Sequence, residues 1–511
     1  MRRIALVFSA ALAATALSGP AAHAAGHHLK NGLMVTIYSS ANPQSFNPQQ
    51  FINQQQNGGN GYFSSANVPG LGVVKEVRKM AIHAGLQRLN FTDVAQHIDP
   101  TSVSFTDLSN PHTQVLEQQF KFDLLNTDKL LQKYVNHKIT IQNPLANGKF
   151  QDVTGKLLSD RDGSIVLRNA SGLRVFNTQG LQFTLGKLPR GLMTKPTLQW
   201  LVHARTGGTH KILTTYQTSG LTWITDYNLI LRKKHMGNLG AWVTLLNVSG
   251  TTYRHAKLKL IAGTINRVVQ RPAYPMMMHA MVAAAYAPPQ FKQKTFFQYH
   301  MYTLSRRITI RQNATQQVAL FPTVQGIHVH QTLMYNGLSQ HPYWYGQPNI
   351  DPNMNNTSSP NVSVYERFDN THANKLGIPL PEGKLRVYKE DPADGTLEFL
   401  GEDLVHHTPA GEPVQVKVGT AFDVIGKRTR TAFHANFNGH TIDESFRVTL
   451  HNSRKKPVHV VVVQYMYRAL NWKMTKHSVP YTKLDYRTVH FNVQVPAKGK
   501  TSITYSVHYS W

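Results

Sequence analysis

Residues 446–465, FRVTLHNSRKKPVHVVVVQY, contain two kinds of strand pattern separated by a turn. In residues 446–451 apolar and polar side chains alternate, which is typical of a strand with one buried face. Residues 458–465, VHVVVVQY, are apolar almost throughout and predict a strand buried on both faces. The polar segment at residues 452–457 predicts a hairpin turn between them.

The same alternation recurs along most of the chain and is clear at residues 414–418 and 489–495. Five side chains of the last segment also share one face: Ile503, Tyr505, Val507, Tyr509 and Trp511. Outer-membrane barrels often end in such an aromatic strand. The alternative is that this segment is the last strand of a soluble sandwich. The irregular strand lengths favour the sandwich. We therefore predict a mainly β fold with a multi-domain β-sandwich architecture.

One short helix interrupts this pattern. Four apolar residues fall on one helical face after a cap at Asn126 or Thr127: Leu130, Leu131, Tyr134 and Val135. Residues 137–188 then offer several short strands separated by Gly and Asn turns. These strands are sufficient for a small β-barrel segment.

The 511-residue chain is basic because acidic residues are scarce: 54 Lys and Arg face 26 Asp and Glu, a net charge of +28. The basic residues form no long runs, so we expect no nucleic-acid partner. The charge indicates either a surface for an anionic polymer or adaptation to an acidic exterior, where carboxylates lose their stabilising charge. The second explanation is favoured because the imbalance comes from missing acids. The absence of Cys excludes disulfides, thiolate catalysis and Cys-based metal centres.

The N-terminus has the pattern of a secretory signal peptide. Arg2 and Arg3 precede a short apolar run, and Ala22-His23-Ala24 gives a small-x-small cleavage pattern. We expect the signal to span residues 1–24 and the protein to be exported to the periplasm or cell surface of a bacterium, with an acidic exterior as one possibility. No transmembrane segment is expected after cleavage.

The sequence suggests four domains and three biased insertions, the third of them at about residues 336–361 with Pro342, Pro348, Pro352 and Pro360. Residues 31–74 contain no charged side chain, and twelve Asn or Gln lie between residues 42 and 67, which predicts a disordered loop. A second insertion is rich in Met, Pro and Ala. The predicted divisions are an N-terminal β domain at 25–125 with the Asn/Gln-rich insertion near 40–70, a helix plus small barrel at 126–189, a central β-sandwich region at 190–345 with the Met/Pro/Ala-rich insertion at 272–291, and a C-terminal β domain at 346–511.

Several ordered phrases resemble a known family. The phrases include GLTWITDYNLIL at residues 220–231, LGIPLPEGKLRVYKED at 376–391, FLGEDLVHHTPAGE at 399–412, GTAFDVIGKR at 419–428, and the ending from residue 481. Together they are similar to bacterial exported proteins that carry the domain of unknown function 4139, which mucoidy inhibitor A-type proteins share. The resemblance implies an immunoglobulin-like C-terminal module and supplies no catalytic residues. The family pattern implies an acidic residue where this chain has Gln464.

Two carboxylates are candidates for a general acid and base. Asp226 and Asp423 could cleave a glycosidic bond if they lay ~5–10 Å apart. The alternative is that each caps a turn or pairs with an arginine, which is the commoner role. The sequence contains no nucleotide-binding, zinc-protease or nucleophile-elbow motif.

A second candidate site is a cluster of soft ligands that suits copper(I): Met276, Met277, Met278, His279 and Met281. Methionine commonly fills apolar gaps, so an apolar plug is the favoured alternative. The neighbouring His406 and His407 would point to opposite faces of a strand, so a turn is favoured there over a metal site. We expect no cofactor.

The export signal, the basic charge and the lack of a catalytic motif predict a non-enzymatic envelope protein. Its expected partner is an anionic polysaccharide or another envelope component. A carboxylate-dependent hydrolase acting on envelope polysaccharide and a periplasmic copper-binding protein are the alternatives.

Overall fold

The computed structural model describes residues 32–39, 70–122, 127–145, 148–187, 193–263, 291–296, 299–338, 347–356 and 358–511. The structure is mainly β, as the sequence predicts, and its sheets form a multi-sheet β-sandwich architecture. The predicted signal peptide, the Asn/Gln-rich residues 40–69 and the Met/Pro/Ala-rich residues 272–290 lie outside the described residues. No helix in the described ranges has the length and apolar character that a membrane crossing needs.

The elements in the first part of the described chain surround the helix α1 (Thr127–Tyr134). They are β1 (Gly32–Tyr38), β2 (Leu71–Ile82), β3 (Gly85–Thr92), β4 (Ile98–Asp107), β5 (Gln114–Lys121), β6 (Lys138–Pro144), β7 (Phe150–Arg161), β8 (Ser164–Asn169), β9 (Gly172–Asn177) and β10 (Gln182–Thr184).

The central strands are β11 (Thr197–Ala204), β12 (Gly208–Thr218), β13 (Leu221–Arg232), β14 (Met236–Asn247), β15 (Tyr253–Ala262), β16 (Phe291–Phe296), β17 (Tyr299–Leu304), β18 (Ile308–Ile310), β19 (Ala314–His328) and β20 (His330–Tyr335).

The remaining strands, with a short 3-10 helix at His372–Asn374 among them, are β21 (Asn361–Asp369), β22 (Gly383–Glu390), β23 (Leu397–Val405), β24 (Pro413–Asn436), β25 (Thr441–Asn452), β26 (Val458–Tyr465), β27 (Asn471–His477), β28 (Tyr481–Lys483), β29 (Thr488–Val495) and β30 (Gly499–Ser510).

Three sheets share one hydrophobic core. They have the orders β16-β17-β15-β1-β2-β12-β4, with β18 beside β15, then β3-β11-β5 and β19-β14-β13-β22-β23. Trp223 of β13 reaches across the core, and its Nε1 donates to the carbonyl oxygen of Ile37, 3.1 Å away. Trp200 of β11 packs edge-on against Phe91 and Phe105. The alternating apolar faces of these strands are therefore buried between layers, as period-two patterning requires.

The helix is confirmed, whereas the small barrel takes a different form. Helix α1 buries Leu131 and Tyr134 against the sheet β10-β6-β7-β8-β9. This sheet is open, because no ladder joins β9 to β10 in the described residues. Five short strands cover only part of a cylinder.

The C-terminal strands form one sheet that folds over itself into two layers. Its order is β27-β30-β25-β24-β21-β20-β26-β29-β28. Phe491 of β29 and Tyr505 of β30 meet between the layers, with ring centroids 5.5 Å apart. The alternating aromatic face of β30 thus lies in the core of this sandwich.

The predicted hairpin at residues 452–457 is wrong. Strand β25 pairs with β24 and β30, while β26 pairs with β20 and β29, so the segment crosses from one layer to the other. Asn452 stabilises this crossing, since its Nδ2 donates to the carbonyl oxygens of Lys456 and Pro496. Immunoglobulin-like sandwiches use connections of this kind between layers.

Strands on either side of the predicted division at residue 345 pair with each other. Strand β20 lies before it and pairs with β21 and β26 of the C-terminal sandwich. Strands β22 and β23 lie after it and extend the central sheet beyond β13. The chain therefore passes between the two sandwiches more than once.

A buried carboxylate organises the turn after β4. Asp107 accepts hydrogen bonds from the backbone N–H groups of Ser109 and Asn110 and from the Thr113 hydroxyl. Its Oδ2 lies 2.6 Å from Nδ1 of His210 on the neighbouring strand β12. Burial alone would raise the pKa of Asp107, but these hydrogen bonds hold it below its usual value.

We predict that Asp107→Asn lowers the free energy of unfolding by about 1–3 kcal/mol, because it leaves buried donors without their charged acceptor. The wild-type contribution is present above the ordinary Asp pKa and is lost as the pH falls through the lower folded value. Urea unfolding at neutral and acidic pH measures both effects. The exposed Asp152→Asn is the matched control, and an unfolding midpoint for Asp107→Asn equal to that of wild type would contradict the prediction.

Candidate functional site

Asp226 is an ion-paired structural residue in the centre of the five-stranded sheet. Its Oδ1 lies 3.0 Å from Nη1 of Arg386 on β22, and its Oδ2 accepts from the Thr244 hydroxyl on β14 at 2.6 Å. Arg386 also lies near Glu402 on β23. Both carboxylate oxygens of Asp226 are therefore engaged by partners within the sheet.

The structure does not bring Asp423 to Asp226. The Asp423 side chain is exposed on β24, and its backbone carbonyl oxygen accepts from the N–H of Ser453. Strands β22 and β23 lie between β13 and β24 in the order of contacts. Two strand spacings, about 10 Å, separate β13 from β23 alone. The pair of carboxylates that a glycosidase requires is therefore not formed by these two residues.

His406 and His407 lie together against Glu382, beyond the end of β23. Nδ1 of His406 is 4.0 Å and Nε2 of His407 is 3.8 Å from the Glu382 carboxylate. Both residues follow the last residue of β23. They therefore do not point to opposite faces of a strand, as two neighbouring strand residues would. The Glu382 N–H donates to Nδ1 of His407 at 3.0 Å. Burial, with the charges of His300 and His406, lowers the pKa of His407 to about 4.

In the chain segments that the structure describes, no group of three or more His, Asp and Glu side chains is placed to hold a metal ion. The proposed copper ligands Met276, Met277, Met278, His279 and Met281 lie outside the described residues.

The candidate site is a groove in the C-terminal sandwich, where the edge strands β27 and β28 approach each other. Two adjoining clefts of about 370 and 450 Å³ share Tyr486, whose side chain is 59% exposed. We call this surface the Tyr486 groove. Its walls are Tyr465, Met466, Tyr467, Asp485, Arg487 and Thr488 on one side and Leu470, Asn471, Trp472, Lys473, Lys483, His508 and Ser510 on the other.

Tyr486 is held by a short turn between β28 and β29. Asp485 accepts from the backbone N–H groups of Arg487 and Thr488, at 2.7 and 2.8 Å. The bond from Arg487, together with that from Thr488, lowers the pKa of Asp485. Trp472 of β27 donates from Nε1 to the Tyr486 carbonyl oxygen at 2.7 Å. The turn is therefore tied to the facing edge strand.

Cations lie against both aromatic rings. The Lys483 ammonium is 4.8 Å from the Trp472 ring centroid, and the Arg487 guanidinium is 5.2 Å from that of Tyr486. Lys473 lines the same cleft as Trp472. Asp485 is the one carboxylate among the lining residues, and it accepts hydrogen bonds from the backbone N–H groups of its own turn. The groove therefore combines flat apolar surfaces with positive charge.

The floor of the groove depends on a buried ion pair. Nη2 of Arg468 lies 2.9 Å from the Glu444 carboxylate, and neither side chain is exposed to solvent. The adjacent Tyr467, which lines the groove, donates its hydroxyl to the same carboxylate. Glu444 thus holds two residues of the connection from β26 to β27, Tyr467 and Arg468.

None of the groove residues is predicted from the sequence to form a functional site. A signal was present in residues 470–477, LNWKMTKH, and 481–488, YTKLDYRT, where aromatic and basic residues are interleaved. Each segment alone is ordinary for a solvated strand edge. Their meaning appears only when the sandwich brings the two edges together.

We predict that Glu444→Gln lowers the free energy of unfolding by about 3 kcal/mol, because Arg468 would then be buried without a counter-charge. Urea unfolding at neutral pH measures the change. Glu117→Gln removes an exposed carboxylate from β5 and serves as the control. Equal midpoints for the two variants would show that the buried pair contributes little.

We also predict that His407→Gln weakens the pH dependence of stability. Because the pKa of His407 is lower in the folded protein, this imidazole takes up a proton in the unfolded chain at a higher pH than in the folded one. The free energy of unfolding therefore falls as the pH drops from about 6.5 toward 4. Glutamine can still accept from the Glu382 N–H but does not titrate. Unfolding midpoints across this range, with exposed His112→Gln as control, test the effect, and an unchanged slope in His407→Gln would refute it.

No protein-family model matches the chain, and no curated protein matches it at a significant level.

Proposed function

We propose that the protein is an exported, non-enzymatic envelope protein that binds an anionic polysaccharide through the Tyr486 groove. The observation that carries this proposal is the exposed Tyr486 ring between two clefts, with cations against it and against Trp472. The export signal at residues 1–24 and the net charge of +28 support it.

The chemistry of the groove suits a charged sugar. The C–H faces of a pyranose ring pack on flat aromatic surfaces, and Tyr and Trp supply such surfaces with polar edges. Lys473, Lys483 and Arg487 supply donors for the carboxylate or phosphate groups of an acidic glycan. Neutral hydroxyls of the same sugar can bond to Asn471 and Ser510, which also line the groove.

The shape of the groove favours a polymer over an enclosed small ligand. Its two clefts share Tyr486 and are lined by residues of the edge strands β27 and β28 and of the segments beside them. A chain of sugars can therefore cross both clefts and contact Tyr486 between them. Binding through several weak, screened contacts would depend strongly on salt concentration.

The two alternatives have no observation of this kind. For a hydrolase, Asp226 is paired with Arg386 while Asp423 stands apart on an exposed strand face. The copper ligands belong to residues that the structure does not describe. We further propose that the chain belongs with the exported proteins carrying the domain of unknown function 4139, a proposal that rests on its sequence phrases.

We predict that the wild-type protein binds polygalacturonate at low ionic strength and that Tyr486→Ala weakens this binding about tenfold. The ring contributes stacking surface that alanine lacks, worth on the order of 1–2 kcal/mol. Isothermal titration calorimetry of the full chain with polygalacturonate and with neutral dextran measures both the affinity and the requirement for charge.

Matched controls separate the groove from general basicity. Phe422→Ala removes a ring that is 95% exposed on β24, and Lys455→Ala removes a cation from the β25–β26 connection, outside the lining of the groove. Both should bind as wild type, whereas Lys483→Ala should bind more weakly. If wild type does not bind, or if Tyr486→Ala and Lys483→Ala bind like the controls, the proposal fails.

A further inference from the structure

A second cleft lies far along the chain from the Tyr486 groove, among β1, β2, β15 and the segment before β18. Its volume is about 510 Å³. Three arginines line it: Arg78, Arg254 and Arg307. This volume falls within the range of sites that hold small molecules.

The acids of this cleft are already neutralised by their own cations. Arg78 holds Glu76 through two hydrogen bonds, at 2.7 and 2.8 Å, and its remaining Nη1 donates to the carbonyl oxygen of Thr92. Asp93 pairs with Lys195 at 2.9 Å. The charges of Arg254 and Arg307 are therefore not balanced by the carboxylates that line the cleft.

A β-bulge in β15 places these two arginines. Tyr253 pairs with Ile310 and Ala256 pairs with Ile308, so two residues of β15, 254 and 255, lie opposite the single residue Thr309 of β18. His255 in this bulge has a positive φ of 49°. Nη1 of Arg307 donates to the His255 carbonyl oxygen at 2.8 Å, so the bulge also fixes Arg307. Arg254, at the start of the bulge, has neither a hydrogen bond nor an ion pair to any described residue.

Space around Arg307 is preserved by Gly32. A Cβ at this position would lie 3.1 Å from both terminal nitrogens of the Arg307 guanidinium. The polar walls include Thr252, whose hydroxyl oxygen accepts from the Gln312 N–H and keeps its own proton to donate. The cleft thus offers two cationic groups together with neutral hydroxyls.

We propose that this cleft binds a dianionic phosphate group, with room for a small polyhydroxylated molecule attached to it. Two guanidinium groups without carboxylate partners match the charge of a phosphate monoester, and each guanidinium can donate two parallel hydrogen bonds to it. The volume exceeds what a free phosphate needs, and hydroxyl groups on the wall suit a sugar. The site is independent of the Tyr486 groove.

The test is isothermal titration calorimetry of the full chain with glucose 6-phosphate, inorganic phosphate and glucose. At about pH 8 the phosphates are dianionic, because their second pKa is about 6. Wild type should bind glucose 6-phosphate, and Arg254→Ala should weaken this binding at least about tenfold. Tighter binding of glucose 6-phosphate than of phosphate identifies an organic phosphate as the ligand class, while equal affinities identify the free ion.

The controls exclude a general effect of charge. Arg306→Ala removes an exposed arginine beside Arg307 that does not line the cleft, and Tyr486→Ala alters only the other site. Both should bind glucose 6-phosphate as wild type. Because Arg307→Ala could disturb the bulge, Arg307→Lys is used as well and should bind with reduced affinity. No binding of either phosphate by wild type, or an equal loss in Arg306→Ala and Arg254→Ala, would overturn the proposal.

Discussion

The ion pair between Glu444 and Arg468 is the contact on which the C-terminal sandwich depends. Both side chains are fully buried, so Arg468 requires this carboxylate to offset its desolvation. Glu444 also has a second cation, Arg430, whose Nη1 lies 3.4 Å from Oε1. Arg468 also donates to the carbonyl oxygens of Asn349 and Asp351, which holds residues 347–356 against the sandwich. Because Arg468 lies in the connection between β26 and β27, the same pair positions one wall of the Tyr486 groove. A change at Glu444 would therefore affect the stability of the sandwich and the shape of the groove together, whereas the exposed ring of Tyr486 has no such structural role.

The scarcity of carboxylates changes how buried cations are satisfied. Nε of Arg428 donates to Oε1 of Gln464, and Nη1 donates to the carbonyl oxygen of Asn355. The guanidinium also lies 3.8 Å from the Phe446 ring centroid. An amide, a backbone carbonyl and an aromatic face thus replace a counter-charge. None of the three changes its charge with pH, so this arrangement loses nothing when acids become protonated.

Partly buried histidines, in contrast, make the folded protein less stable in acid. Burial lowers the pKa of His97, His300 and His490 as well as that of His407, so protonation of the unfolded chain favours unfolding as the pH falls below about 6.5. Adaptation to an acidic exterior remains a proposal, and these imidazoles oppose it. A basic surface that serves an anionic partner requires no such adaptation, and the binding proposed for the Tyr486 groove would give the positive charge a local use.

The sequence predicts which residues form strands more reliably than it predicts which strands meet. Alternation at residues 446–451 correctly marks the buried face of β25, but the same pattern fits any partner strand, and the expected hairpin with β26 is instead a crossing between layers. Both proposed sites depend on such pairings. The groove needs β27 to face the turn after β28, and the arginine cleft needs a bulge in β15 beside β1. Asp226 is a candidate acid or base from the sequence, yet its Oδ1 is held by Arg386, which is 160 residues later. Local pattern reports burial, whereas site chemistry requires groups from distant segments, and only the packed layers determine which of them meet.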